Sequence, residues 1–505
     1  AQGQALVTRL ALTVYKGRPD LQRAFPDVLG RDRIQYVRWL VNKGKEELAL
    51  DDFFTEPMAS HLARLGGSKA LLAQQGVKAW LYQSFANWLF RIGLGARIER
   101  LLGERILGRV RGFFTGSGAG RALPQPLPHL GTLEVKPGNR GVNVVGYLCD
   151  ETGVGESART TMRALHDQGC PVTRTMVKSH TARKNDRSVM HFPEGQPYGV
   201  NLFCVNADQM DVVHEELGPD FFVDKYNIAY WAWELERFPD AWLNRFQHLD
   251  EIWVGSRFVQ NTLAHVAPIP ILIMGVGIDK KSDNHINRAT LGLPEDKFLF
   301  LFAFDMLSFI ERKNPFGAIE AYRRAFGPDD QDTGLVIKVT NLDQFPEHRE
   351  PLEKAVASVS GILMDGYLER SELDGLFNVC DAYVSLHRSE GFGMTIAEAM
   401  GLGKPVIATA YSGNADYMDV NNSYPVKYDL IELIEDYGPY KKGGVWADPD
   451  LDHAGVQMRR VFELPDEARR KGIRAAADIA RAYSHEAMGR KMVKRIEMVS
   501  ARSRR

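Results

Sequence analysis

From about residue 139 onward, short runs rich in β-branched and aromatic residues alternate with amphipathic stretches, and this alternation restricts the fold more than any other property of the chain. The runs fall at 142–148, 172–177, 200–205, 228–233, 252–254 and 269–274, then at 298–304, 335–339, 362–364, 382–386 and 406–408. Helical patterns lie between them, such as Ala158, Met162 and Leu165, or Ile319, Tyr322 and Phe326. A strand that is apolar on both faces needs cover on both. Strand–helix–strand units supply it and keep neighbouring strands parallel. Two such blocks predict an α/β protein with two Rossmann-like, doubly wound domains, 139–275 and 276–466, with Gly275-Val276-Gly277-Ile278-Asp279 at the crossing. Ligands of such sheets sit beyond the carboxyl ends of the strands, so the cleft between the two domains is the expected site.

The flanks read differently. Residues 1–114 are expected to be helical, with Trp80, Leu81, Phe85, Trp88 and Leu89 at helical spacing. Residues 115–138 form a linker, because Gly116-Ser117-Gly118-Ala119-Gly120 followed by Pro124, Pro126 and Pro128 cannot continue a helix. Residues 467–505 form a closing helical segment. In 91–114, Arg91, Arg97, Arg100, Arg105, Arg109 and Arg111 interleave with Leu94, Ile98, Leu101, Phe113 and Phe114. Such a segment suits either packing on the α/β domains or peripheral contact with an anionic membrane surface.

No apolar run approaches the roughly 18 residues of a spanning helix, and no secretory pattern stands at the start. The chain does not open on Met, which leaves a preceding segment open. The four cysteines lack metal-site spacing and read as buried thiols of a reducing compartment. The expected location is cytoplasmic, with attachment at the inner face of the membrane as an extension through 91–114. A net charge of −1 in 505 residues weighs against a nucleic-acid partner.

The most informative stretch is Ser389-Glu390-Gly391-Phe392-Gly393-Met394-Thr395-Ile396-Ala397-Glu398, which follows the apolar run 382–386. A Gly-bearing loop between strand and helix lets backbone N–H groups approach a ligand, and the helix N-terminus adds partial positive charge. Together they suit a diphosphate. Glu390 stands at the loop entry, where it can accept from sugar hydroxyls. Glu398 lies eight residues on, within the helix, where it can take ribose hydroxyls. Phe392, Gly393, Met394 and Thr395 then lie along the phosphates, and His387 stands three residues before Glu390.

Glu390 to Glu398, with the adjoining 401–409 and Ser412-Gly413, resembles the Glu-x7-Glu signature of the retaining glycosyltransferase family four. The resemblance extends over about 140–500 and is strongest in 280–420. It implies the GT-B fold, a nucleotide-diphosphate sugar as co-substrate, GDP- or UDP-linked, and retention of anomeric configuration. It also implies a last helix that packs back on the first domain. Arg312 and Lys313, after the run 298–304, resemble the family's phosphate-binding cations; Phe304-Asp305 stands where many members place an Arg. Gly155, within Gly153-Val154-Gly155-Glu156-Ser157, resembles the glycine-bearing first loop over the donor phosphates. Many members carry a histidine at the end of the strand that here ends in Tyr230-Trp231-Ala232-Trp233-Glu234, so Trp233 and Glu234 take its place.

An aromatic face and a carboxylate suit a sugar ring and its hydroxyls. Ser256 and Arg257 follow the next strand toward the same cleft, and His180 also follows a strand. No Asp-x-Asp pattern occupies a strand end, so neither metal nor cofactor is expected, and the diphosphate charge falls to the basic pair and the helix N-terminus.

The leading expectation is hexosyl transfer to a saccharide or lipid-linked saccharide acceptor, in surface polysaccharide or glycoconjugate synthesis. Glu390, Lys313, Arg312 and Glu234 are its catalytic candidates. A nucleotide-sugar 2-epimerase of the same architecture and a non-catalytic carbohydrate-binding scaffold are the alternatives.

Overall fold

The computed structural model describes residues 15, 18–26, 28, 32–40, 141–178, 183–278 and 286–502. The chain divides into two compact units, 1–130 and 131–505. In the first, helices Pro19–Ala24 and Arg33–Trp39 gather around the buried Tyr36, whose ring lies 5.5 Å from Tyr15 and 5.7 Å from Phe25. The basic stretch 91–114 and the linker 115–138 lie outside the described residues.

The second unit holds two parallel six-stranded sheets. The first comprises β1 (Val142–Gly146), β2 (Val172–Met176), β3 (Val200–Cys204), β4 (Tyr226–Trp231), β5 (Glu251–Val254) and β6 (Ile271–Ile273), in the order β2-β1-β3-β4-β5-β6. Every residue of β1, β3 and β5 is buried, as expected for strands covered on both faces. Asn143, Asn201 and Asn227 pair across β1, β3 and β4. Their amides bond in series at 2.9 and 2.9 Å, a buried ladder that satisfies itself in only one register.

The other sheet comprises β7 (Phe298–Asp305), β8 (Thr333–Thr340), β9 (Ile362–Asp365), β10 (Ala382–Ser385), β11 (Val406–Thr409) and β12 (Tyr424–Val426), in the order β12-β11-β10-β7-β8-β9. The chain winds one way from β7 and the other way from β10. The crevice beyond their carboxyl ends is therefore a topological switch point, and β1 and β3 form its counterpart in the first sheet. An antiparallel hairpin follows, β13 (Tyr428–Glu432) and β14 (Val445–Pro449).

Four helices matter most for the site. Helix α1 (Gly153–Asp167) follows β1, α2 (Met394–Gly401) follows β10, and α3 (Pro465–Tyr483) and α4 (His485–Arg502) close the chain. Helix α3 packs on α2, whereas α4 packs on α1 of the first domain. A Cβ at Gly489 would lie 2.2 Å from the Ala164 carbonyl oxygen, so only glycine permits that approach. All four cysteines are free and buried. Among the described residues no helix is long and apolar enough to cross a membrane.

Candidate active site

The loops leaving β7 and β10 meet at the switch point. After β7, a short turn of helix (Ile310–Lys313) leads into the helix Pro315–Phe326. Phe309 and Asn314, on either side of that turn, have φ of 65° and 55°, a left-handed backbone that non-glycine residues adopt only under constraint. Asn314 supplies part of that constraint: its side chain accepts from Gly317 N at 3.1 Å and donates to the Leu386 carbonyl at 2.8 Å, tying the two loops together. The turn so held delivers Arg312 and Lys313 to Glu390.

Lys313 Nζ lies 2.5 Å from Glu390 Oε1, and Arg312 Nη1 lies 3.2 Å from Oε2. All three side chains are nearly enclosed. Burial alone would raise the Glu390 pKa, but Lys313 and then Arg312 override it and hold the carboxyl at about 2. Arg312 also donates to the carbonyls of Ser308 at 3.1 Å and Ser389 at 2.7 Å, so Lys313 is the more open cation. The backbone of Glu390 is pinned as well: its N–H donates to Ser412 Oγ at 2.8 Å, and its carbonyl accepts from Gly413 N at 2.9 Å.

Gly393, with φ of 85°, is the N-cap of α2 and has no side chain to cap it, so the first-turn N–H groups at Met394 and Thr395 stay available to an anion. Glu398, on the same helix, is buried and accepts from Arg370 Nη2 at 3.0 Å. The structure thus brings Lys313, Arg312, Glu390 and the α2 N-terminus to one switch point, with Glu398 on the following turns.

Other expected residues take different places. His387 is fully buried, with Nδ1 3.0 Å from Ser385 Oγ and Nε2 3.0 Å from Asn414 Oδ1. Both ring nitrogens are engaged, and burial lowers its pKa, so it is a neutral structural histidine and not a donor contact. The Phe392 ring packs between Gly255, Tyr417 and Tyr483, toward the first domain, which leaves only its backbone for a ligand. Trp233 presents no open face to a sugar: it is buried among Phe238, Trp242 and Tyr440, and its indole N–H donates to the Arg237 carbonyl at 2.9 Å. Strand β4 ends at Trp231, two residues before the expected end, and the chain then turns into this aromatic cluster.

Ser256 is also buried. It caps the helix Arg257–Ala264 and donates to the Gly391 carbonyl at 2.6 Å, so it joins the two domains and does not line open cleft. Arg257 is exposed, and its backbone N–H donates to Asp416 at 2.6 Å. Gly153 and Gly155 stand in the first turn of α1, not in a loop before it. A Cβ at Gly155 would lie 2.3 Å from the Asp150 carbonyl oxygen, so its role is close packing at a helix N-terminus. His180 lies outside the described residues.

Glu234 does reach the site. Its backbone carbonyl accepts from Ser389 Oγ, and its Oε2 accepts from Tyr440 OH at 2.9 Å. Two neighbours went unforeseen. Arg370 sits at the start of an unremarkable amphipathic helix, and Tyr440 lies in a polar stretch with no strand or helix signal. Neither carries a local motif.

Residues 283–423 match the family model described as "Glycosyl transferases group 1". The match supports a glycosyltransferase. It covers β7 to β11 with both loops of the switch point. Mannosylfructose-phosphate synthase of Agrobacterium fabrum is 26% identical over 136 residues, which are 27% of this chain and 23% of that protein's length. Among solved structures, Anabaena HepE in complex with UDP and glucose superposes with a TM-score of 0.53 at 13% identity, over 71% of this chain and all of that one. Sucrose-phosphate synthase from Thermosynechococcus elongatus gives 0.53 at 15% identity, over 72% of this chain and all of that one. A glycosyltransferase from Rickettsia africae gives 0.51 at 13% identity, over 72% of this chain and 99% of that one. At such identities the likeness is one of fold, and the fold is GT-B.

Proposed function

We propose that the chain is a retaining, metal-independent glycosyltransferase that moves a hexosyl unit from a nucleotide-diphosphate sugar to a saccharide or lipid-linked saccharide acceptor. The observation that carries this reading is the ion cluster of Lys313, Arg312 and Glu390 beside the N-terminus of α2. A carboxylate kept ionised among two cations accepts hydrogen bonds from sugar hydroxyls. The cations and the free amides of α2 stabilise charge that builds on a departing diphosphate. Glu398 takes the ribose. The neighbours that bind UDP, glucose or UDP-glucose according to their descriptions support a nucleotide-sugar donor, without fixing the base for this chain.

On this reading the C1–O bond to the diphosphate breaks, and its electron pair stays on the phosphate oxygen. The acceptor hydroxyl then bonds C1 from the same face and gives its proton to that oxygen. No separate general base is needed.

Incubation with a panel of UDP- and GDP-linked hexoses, with nucleotide release followed and products read by NMR, tests the proposal. Release with an α-linked product from an α-linked donor, undiminished in excess chelator, is expected. An inverted product overturns retention. Complete loss in chelator with rescue by magnesium or manganese overturns metal independence. An epimerised free nucleotide sugar would establish the epimerase instead.

A further inference from the structure

The hairpin β13–β14 and its connection, 433–444, extend the second domain toward the first. Leu433, Tyr440 and Trp446 join the apolar cluster of the first domain with Trp233, Leu235 and Phe238. The approach to the first domain is close, since a Cβ at Gly444 would lie 3.0 Å from a Leu235 methyl, and the connection also lies on its own domain, where a Cβ at Gly438 would overlap the Phe309 ring, 2.1 Å from its nearest carbon. Tyr440 stands where these surfaces meet. Its hydroxyl donates to Glu234 Oε2 at 2.9 Å, its ring lies 5.5 Å from Trp233 and 5.4 Å from Phe309, and the Arg312 guanidinium stands 5.8 Å from the ring centroid. One buried phenol therefore holds a first-domain carboxylate and sits under a second-domain cation that itself touches Glu390.

We infer that Leu433 and Tyr440, the buried residues of the 433–444 connection, close one side of the reaction centre against water and that Tyr440 is a positioning residue, fixing Glu234 and Arg312 relative to each other for transfer. The inference rests on the glycosyltransferase reading. An activated sugar that loses its diphosphate is captured by whichever oxygen is in place. When that oxygen belongs to water, the free sugar and the nucleoside diphosphate result. The connection itself is mostly charged and exposed, but its two buried side chains, Leu433 and Tyr440, pack on Trp233 and Leu235, and the Tyr440 phenol is already bonded to Glu234, so this side of the centre offers water no open polar group. Fixing Glu234 by a charge-assisted bond keeps it from turning with the solvent.

Tyr440→Phe keeps the ring and removes the O–H. With the UDP- or GDP-linked hexose that the wild-type chain turns over, transfer should fall about tenfold, as expected for one hydrogen bond to a charged group. The ratio of donor hydrolysis to transfer should rise severalfold, and the Kd of the free nucleoside diphosphate should stay within twofold. A general loss of structure would lower hydrolysis and transfer together and leave the ratio unmoved. Tyr440→Phe with wild-type turnover and ratio overturns the inference. Should that variant melt early, Glu234→Gln weakens the same bond from its other end and should move the ratio the same way; an unmoved ratio there overturns the inference too. If the wild-type chain turns over no nucleotide sugar, the proposed function fails and takes this inference with it, an outcome distinct from active wild type with indifferent variants.

Discussion

At the scale of single residues, the site turns on how one buried carboxylate is kept charged. Glu390 has a folded pKa of about 2 against an ordinary 4.5, because Lys313 and Arg312 outweigh its burial. A depressed acid stabilises the fold above its unfolded pKa and loses that contribution as pH falls through the folded value, here between 4.5 and about 2. Lys313→Met removes the nearer cation, so the folded pKa rises toward 4.5 and the part of the stability that depends on acid shrinks. Urea unfolding at a series of pH values should give a lower stability at neutral pH and a shallower fall between pH 4.5 and about 2 in the variant than in wild type; equal slopes would contradict the pairing. The same cation should matter for chemistry. Lys313→Ala is expected to lower turnover by about a hundredfold, the scale of losing one preorganised charge-stabilising group. A folded Lys313→Ala with full turnover would remove the residue from the site. The two glutamates should respond differently. Glu390→Gln should cut turnover by about ten- to a hundredfold with the affinity for nucleoside diphosphate nearly unchanged, whereas Glu398→Gln should weaken that affinity. Calorimetry beside steady-state kinetics separates the two, and equal effects on affinity would undo the assignment of sugar to one and ribose to the other.

At the scale of elements, the loop after β10 is shaped from outside as much as from within. Gly413 N holds the Glu390 carbonyl at 2.9 Å, and a Cβ at Gly413 would fall 2.2 Å from the Gly391 carbonyl oxygen. Gly413→Ala must push the Glu390 loop away from the turn that carries Ser412. The expected result is a stability loss of about 1–3 kcal/mol, typical of overpacking, and a larger loss of turnover than of nucleotide affinity. Denaturant midpoints and calorimetry check both; an alanine variant with wild-type turnover would show that the loop tolerates the shift. Eleven strands, β1 to β11, were legible near their observed bounds because β-branched and apolar runs stand out from the polar turns around them, most plainly where both faces are buried, as in β1, β3 and β5. Strand β12 was not, because it is three residues long with Pro425 at its middle. The hairpin strands YDLIE and VWADP also escaped: they mix charge with apolar residues, and four of the five residues of β13 face solvent. The Glu390 and Lys313 loops were readable because strand-to-helix turns keep their chemistry local in sequence. What the sequence could not display was pairing across long separations. His387 is taken up by Ser385 and Asn414, Ser256 by Gly391, and Trp233 by Tyr440, and each looked free for a ligand only while those partners were unseen.

At the scale of the molecule, the two sheets are held to each other partly by the end of the chain. After α3 lies on the second domain, the backbone turns at Ser484, where Ile278 N donates to the Tyr483 carbonyl at 2.7 Å, and α4 returns to the first domain. Arg495 on α4 meets Glu251 of β5 with its Nε 2.9 Å from Oε2 and 3.0 Å from Oε1. Glu251 is wholly buried and also accepts from Trp253 Nε1 at 2.6 Å and Tyr226 OH at 3.1 Å. Two neutral donors cannot neutralise a buried carboxylate, so Arg495→Met should cost about 3–5 kcal/mol, the scale of leaving one member of a buried pair uncompensated. The loss falls on the first domain and on the docking of α4. On the proposed reading the nucleotide is held by the second domain, so the affinity of the folded variant for nucleoside diphosphate should hold while its turnover drops, because the first-domain contacts at Glu234 no longer meet the Glu390 loop squarely. Urea unfolding gives the stability term, and Glu251→Gln combined with Arg495→Met should recover part of it by removing the stranded charge. An Arg495→Met variant with a wild-type urea midpoint, or a double variant weaker than the sum of the single ones, would show that the returning helix is held by packing at Gly489 and its neighbours and not by the ion pair.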